Sequence, residues 1–218
     1  MMKKEFIKRL ISSVILIPIA FFFIIKGSFF FNFFLLICFI ITSYEWHMMS
    51  KKKNYNIFGH LFLLFSFIST YLVYNSGADG FVNNSGAGLY VFLGILLVCI
   101  STDIGGYIFG KLLKGPKLTK ISPNKTYAGV FGGYLLSIIF LSSYVNYHEY
   151  NFELENFILV IAISTISQIG DIIVSYFKRL SKIKNTGKLI PGHGGILDRI
   201  DGMIFAFPFY YIIHLIIF

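Results

Sequence analysis

Charge is what this chain has least of. Only 13% of its 218 residues are charged, against 56% hydrophobic, whereas a soluble globular domain carries roughly 25% charged residues. That shortage excludes an ordinary soluble fold. Acidic residues are scarcer still, 10 against 19 basic ones, which leaves a net charge of +9. In a soluble protein such an excess would point to nucleic acid. In a chain this apolar, membrane topology accounts for it, and no nucleic-acid partner is implied. Cysteine is nearly missing: Cys38 and Cys99 each stand inside an apolar run, with no second residue at metal-ligand spacing, and read as reduced, buried and inert. Internal repeats, a low-complexity tail and a soluble second domain are absent as well. The opening MMKKEFIKR leads into apolar residues as a signal peptide would, but no small-residue cleavage site follows, so the segment is expected to stay attached.

What the chain does have is long apolar runs. A helix needs roughly 20 apolar residues to cross the hydrocarbon, and that rule places spans at 7–25, 29–46, 57–74, 88–109, 128–147, 156–177 and 200–218. The expected fold is therefore all-α, a polytopic bundle of about seven transmembrane helices in a single membrane domain over 1–218. Lys26 and Gly27 alone separate the first two runs, so that pair also admits a re-entrant or tilted hairpin.

Charge orders the loops. Lys3, Lys4, Lys8 and Arg9 open the chain, Lys51, Lys52 and Lys53 follow the second run, and Lys111, Lys114, Lys117, Lys120 and Lys125 follow the fourth. The rest lie between Lys178 and Arg199. With seven spans, eighteen of the nineteen basic residues fall on one side. The other side holds Lys26 with Asp79, Glu149, Glu153 and Glu155. The positive-inside rule then puts the amino terminus and all the basic loops in the cytoplasm of a cell whose inner membrane the protein spans.

One stretch, 175–201, escapes any account by hydrophobicity: SYFKRLSKIKNTGKLIPGHGGILDRID. Lys178, Arg179, Lys182, Lys184 and Lys188 supply cations suited to a polyphosphate or phospholipid head group. Pro191, Gly192, His193, Gly194 and Gly195 let backbone amides approach an anion closely. His193 is equally suited to donating to a phosphate, to acid–base work and to fixing the loop. Asp198 and Asp201 are spaced i, i+3; if the last span begins near Leu197, both lie on one face of its first turn. Such hard oxygen donors suit magnesium, which arrives with phosphates.

Two further carboxylates lie inside spans. Asp103 and Asp171 stand eight and seven residues before Lys111 and Lys178, about 10 Å in from the cytosolic boundary at helical rise. A charge near the bilayer centre costs about 2.5–3.5 kcal/mol, so each is a functional candidate. A pocket shared with Asp198 and Asp201 is available to them, which places the active site at the cytosolic face.

The order Ser175-x-x-Lys178-Arg179-x4-Lys184, then Pro191-x-His193-Gly194-Gly195-x-x-Asp198-Arg199-x-Asp201, resembles the signature of the phosphatidate cytidylyltransferase (CDP-diacylglycerol synthase) family. It departs at Asn185, where the family has aspartate. Gly170-Asp171 is similar to the family's upstream Gly-Asp pair. Asp103-x-Gly105-Gly106-Tyr107-x-x-Gly110-Lys111 with Ser122-Pro123-Asn124-Lys125-Thr126 resembles another family stretch, although Tyr127-Ala128-Gly129 stands where other members have Trp-Glu-Gly. The resemblance covers 101–208, the catalytic part; residues 1–100 match only as apolar spans.

The resemblance implies nucleotidyl transfer from CTP to phosphatidic acid, giving CDP-diacylglycerol and pyrophosphate, with membrane lipids around the protein. It implies Asp171, Asp198 and Asp201 as magnesium ligands, and Lys178, Arg179, Lys184, His193 and Arg199 beside them as catalytic residues. Substrate binding falls to Asp103, Lys111, Ser122, Lys125, Thr126, Ser175, Gly194 and Gly195. A second cation such as K+ and a homodimer stay open. The alternatives are a CTP-dependent kinase of a lipid alcohol and an ion-coupled transporter, whose chemistry would be expected at the bilayer midplane. A CDP-alcohol phosphotransferase would need two more aspartates beyond Asp198-x-x-Asp201-Gly202, and 204–207 is Ile-Phe-Ala-Phe.

Overall fold

A computed structural model describes residues 2–76, 87–192 and 194–217, with side chains for all of these except 2–11, 13, 28 and 217. His193 and Asp79 lie outside the described residues. The elements are α1 (Met2–Lys26), α2 (Ser28–Ser50), α3 (Asn56–Asn75), α4 (Ala87–Leu113), α5 (Tyr127–Tyr147), α6 (Leu154–Leu180), α7 (Leu197–Ile200) and α8 (Met203–Ile217). Among the described residues there are helices and two isolated bridges but no strand. The all-α expectation holds. Five helices, α2 to α6, are long and apolar enough to cross a membrane, which makes this a multi-pass membrane protein. The first and last predicted spans correspond to shorter apolar stretches, Val14–Lys26 and Met203–Ile216.

The ends of the helices follow local chemistry. Gly27, at φ 65°, is the single residue between α1 and α2, a backbone that glycine adopts without a steric penalty. At the far end of α6, the Ile183 N–H reaches the Lys178 carbonyl and the Lys182 N–H reaches that of Arg179. Lys182 itself is left-handed at φ 57°. Those are the two bonds of a Schellman stop, built here on lysine where glycine is usual.

The last span requires a correction. It was expected to run from 200 with Asp198 and Asp201 on one helical face, yet α7 stops at Ile200 and α8 begins at Met203. The Gly202 carbonyl starts α8 by accepting from Phe205 and Ala206 N–H, and Asp201 turns its Oδ1 onto the Gly202 N–H at 3.1 Å. A Cβ at Gly202 would run into Ser167, so the turn needs a residue without a side chain.

The chain folds as two compact units that interleave in sequence: Met1–Tyr71 with Phe177–Ile200, and Leu72–Tyr176 with Asp201–Phe218. In the first unit, Trp46 on α2 covers Gly59 of α3 so closely that any Cβ there would enter its ring. The Trp46 indole donates to the Asn56 carbonyl at 3.0 Å and packs edge-on to Phe177. Tyr55 contacts both Phe177 and the Ser181 hydroxyl, fastening the end of α6 to the α2–α3 turn.

In the second unit α4 and α5 meet through glycine. A Cβ on Gly105 would strike the Gly132 carbonyl, one on Gly129 would lie 2.8 Å from the Gly106 carbonyl, and one on Gly133 would press on Thr102. Without a hydrophobic drive between helices in lipid, such close backbone approach is what holds them together. Thr102 also donates to Ser164 on α6 at 2.8 Å, and Tyr134 pairs with Thr165 at 2.9 Å.

Candidate functional site

The segments 183–192 and 194–200 of the first unit are folded around two carboxylates. Asp198 accepts from Lys178 Nζ at 2.9 Å through Oδ1, and from the backbone N–H groups of Thr186 (2.8 Å) and Gly195 (3.1 Å) through Oδ2. The two charged side chains are only 10% and 5% exposed. Gly194, at φ 92°, can sit here because a Cβ would come within 2.6 Å of Asp198 Oδ2. The Ile190 and Gly194 backbones pair across the Pro191–Gly192 turn, and Ser12 on α1 donates to the Pro191 carbonyl at 3.2 Å.

The second carboxylate was missed in the sequence. Glu45, on α2 and 4% exposed, accepts from Ile196 N–H (3.0 Å) with Oε1, and from Leu197 N–H (2.8 Å) and the Thr186 hydroxyl (3.1 Å) with Oε2. Among the described residues it has no ion-pair partner. Three hydrogen bonds to a charged group, each worth roughly 1.5–3 kcal/mol, offset the cost of burying it. Gly195 and Gly187 close over it, since a Cβ on either would run into its carboxylate. The available signal was simple: a glutamate inside an apolar run is as improbable as Asp103 or Asp171 and called for the same question.

The Gly195 amide and the two amides that follow it are thus already engaged with the protein's own anions. Consecutive N–H groups of Gly195, Ile196 and Leu197 divide between Asp198 and Glu45. The exposed cations here are side chains: Arg179, Lys182, Lys184, Lys188 and Arg199. Arg179 also donates to the Ile183 carbonyl at 3.3 Å.

The second unit holds the other candidates. Asp171 Oδ2 forms an ion pair with Lys125 Nζ, at 2.6 Å, and its Oδ1 accepts from the Ser175 hydroxyl at 3.3 Å. Lys125 donates as well to the Gln168 carbonyl, at 3.3 Å. These side chains are 24% and 29% exposed, so the pair is open to solvent in a way that Lys178 and Asp198 are not. A Cβ on Gly170 would meet the Asp201 carbonyl at 3.0 Å, which puts the Asp201 backbone against the turn of α6 that carries Asp171. Asp201 is buried.

The remaining candidates are spread over this unit. Thr126 caps α5, its hydroxyl accepting from Gly129 N–H at 3.1 Å. The Ser122 carbonyl accepts from Lys125 N–H. Lys111 lies over the Tyr107 ring at 5.5 Å, and Asp103 is exposed on α4. Among the described residues no three His, Cys, Asp or Glu side chains gather as a metal cluster. Magnesium does not require one. It is commonly held by one or two carboxylates together with substrate phosphates and water, and the partly exposed carboxylate of Asp171 fits that pattern.

The profile of the cytidylyltransferase family matches residues 7–82 and 60–217. The chain is 37% identical over 172 residues to a phosphatidate cytidylyltransferase of Staphylococcus haemolyticus, covering 78% of this chain and 64% of that protein. A Staphylococcus aureus protein of the same name is 34% identical with the same coverage. One from Staphylococcus saprophyticus is 42% identical over 123 residues, 56% of this chain and 47% of that protein. The chain therefore spans about 64% of the length of the first of these relatives.

Proposed function

The chain belongs to the cytidylyltransferase family, and on that premise we propose that it transfers a cytidylyl group from CTP to phosphatidic acid. The phosphate of phosphatidic acid attacks the α-phosphorus of CTP. A new P–O–P bond forms, the α–β bond breaks, and CDP-diacylglycerol and pyrophosphate leave. The relatives named phosphatidate cytidylyltransferase carry the choice of substrates. One structural observation supports the choice of residues: Lys178 forms an ion pair with Asp198 in the first unit, and Lys125 forms one with Asp171 in the second.

Both reactants are anions, so charge repulsion dominates the barrier. No strong base is needed, because a phosphate monoester is already ionised near pH 7. Lys184, Lys188, Arg179 and Arg199 supply donors for the triphosphate or the lipid phosphate. Lys125, partly exposed, is free to turn from Asp171 toward an arriving phosphate, and Lys178 keeps the buried Asp198 carboxylate neutralised. Magnesium, when bound, neutralises phosphate oxygens and aligns entering and leaving groups; Asp171 and Asp201 would hold it. In the finer topology seven helices cross the inner membrane with the basic loops in the cytoplasm, where CTP is present.

The test is turnover of radiolabelled CTP by the purified chain in detergent, with phosphatidate or a dolichol-like alcohol, with and without magnesium. Labelled CDP-diacylglycerol formed only with phosphatidate and magnesium supports the reading. CTP consumed with the alcohol in its place would make the protein a lipid-alcohol kinase.

A further inference from the structure

We propose that Glu45 is a positioning residue of this nucleotidyl-transfer site, a carboxylate lent by the second helix to set the backbone at 186 and 195–197. The proposal rests on the reading above and extends it into the amino-terminal spans, where sequence motifs assigned no chemistry. Thr186 is gripped from both sides, its N–H by Asp198 and its hydroxyl by Glu45. The next contacts alternate in the same way, Gly195 to Asp198 and then Ile196 and Leu197 to Glu45. Asp198 follows Leu197 directly, so the bond at Leu197 N–H fixes the residue that carries the Lys178 pair.

Glycine at 187 and 195 is the complement of this arrangement, since the space a Cβ would take there is filled by the Glu45 carboxylate. Glu45 itself is sealed from solvent, and touches no substrate. It acts through the loop: with the amides committed to carboxylates, the cations at 184, 188 and 199 are held out on a fixed backbone, ready for phosphate.

The experiment uses the full chain and the variant Glu45→Gln, which keeps the size of the side chain but turns one acceptor into a donor. The expected result is a KM for CTP raised about tenfold, together with faster hydrogen exchange at the Ile196 and Leu197 amides and unchanged exchange in α4 and α5. A purely structural role would lower the folded fraction and leave the KM of the folded enzyme where it was; that result, or exchange at Ile196 and Leu197 equal to wild type, overturns the proposal. If Glu45→Gln does not fold, Thr186→Val removes one donor of the three and decides the matter: KM up about threefold supports the proposal, and unchanged KM and exchange overturn it. Should the unaltered chain fail to turn over CTP with phosphatidate, the functional reading falls, and exchange alone still tests whether Glu45 sets the loop.

Discussion

Lys178 Nζ and Asp198 Oδ1, twenty positions apart in the chain, lie within 2.9 Å of each other, with neither side chain more than 10% exposed. A buried pair of this kind adds little over a well-packed apolar pair, but removing one partner strands the other. The geometry therefore makes the loop's fold conditional on Lys178, since the Asp198 carboxylate left behind would keep only the N–H groups of Thr186 and Gly195.

Lys178→Met is expected to destabilise the protein by about 3 kcal/mol, the typical cost of uncovering a buried charge, and to abolish CTP turnover. Thermal unfolding in detergent measures the first and product formation the second. A variant as stable as wild type would mean that the loop does not depend on this pair.

Lys125 and Asp171 should behave differently. Their side chains are about a quarter exposed, and pairs at that exposure contribute roughly 1 kcal/mol or less. Lys125→Met and Asp171→Asn are thus expected to shift Tm little while lowering turnover at least a hundredfold at saturating magnesium. Activity retained in either purified variant would remove that residue from the site.

Much of this was legible beforehand for a physical reason. Spans announce themselves by length and apolarity, so the cores of all seven predicted runs fall on helices. The 175–201 loop announced itself by its charge and glycine. What stayed hidden depends on the third dimension. Nothing in the order of residues says that amides at 195–197 face a glutamate at 45, or that the helix breaks at Asp201 and Gly202, where Ser167 fills the space a side chain at 202 would need. The pairing of Lys125 with Asp171 was hidden too: forty-six residues separate partners whose meeting depends on how α5 and α6 pack.

The glycine contact between α4 and α5 gives a prediction independent of catalysis. At Gly105 a Cβ would overlap the Gly132 carbonyl, so Gly105→Ala must push the helices apart, with an expected loss of about 1–3 kcal/mol as for other overpacked sites. Gly94 lies on the same helix, yet a Cβ there finds its nearest neighbour, Leu141, at 3.5 Å. Gly94→Ala is expected to leave Tm within a degree or two. Equal effects from the two substitutions would show that close approach at Gly105 is not what holds the pair.

Orientation can be tested without any substrate. Lys117 and Asn151 are both exposed and lie on loops at opposite ends of α5, the first among lysines and the second among glutamates. Anionic lipid and the insertion machinery retain basic loops on the cytoplasmic side, so a cysteine at 117 is expected to be shielded from a membrane-impermeant maleimide applied to intact cells, whereas one at 151 reacts. Of the native cysteines, Cys99 is buried and Cys38 half-buried within a helix, so background labelling should be low, and replacing both with alanine removes it. Labelling at 117 and protection at 151 would put the Lys125–Asp171 pair's loop on the outer side, away from cytoplasmic CTP. The proposed reaction could not then proceed at that face, whatever the residues there resemble.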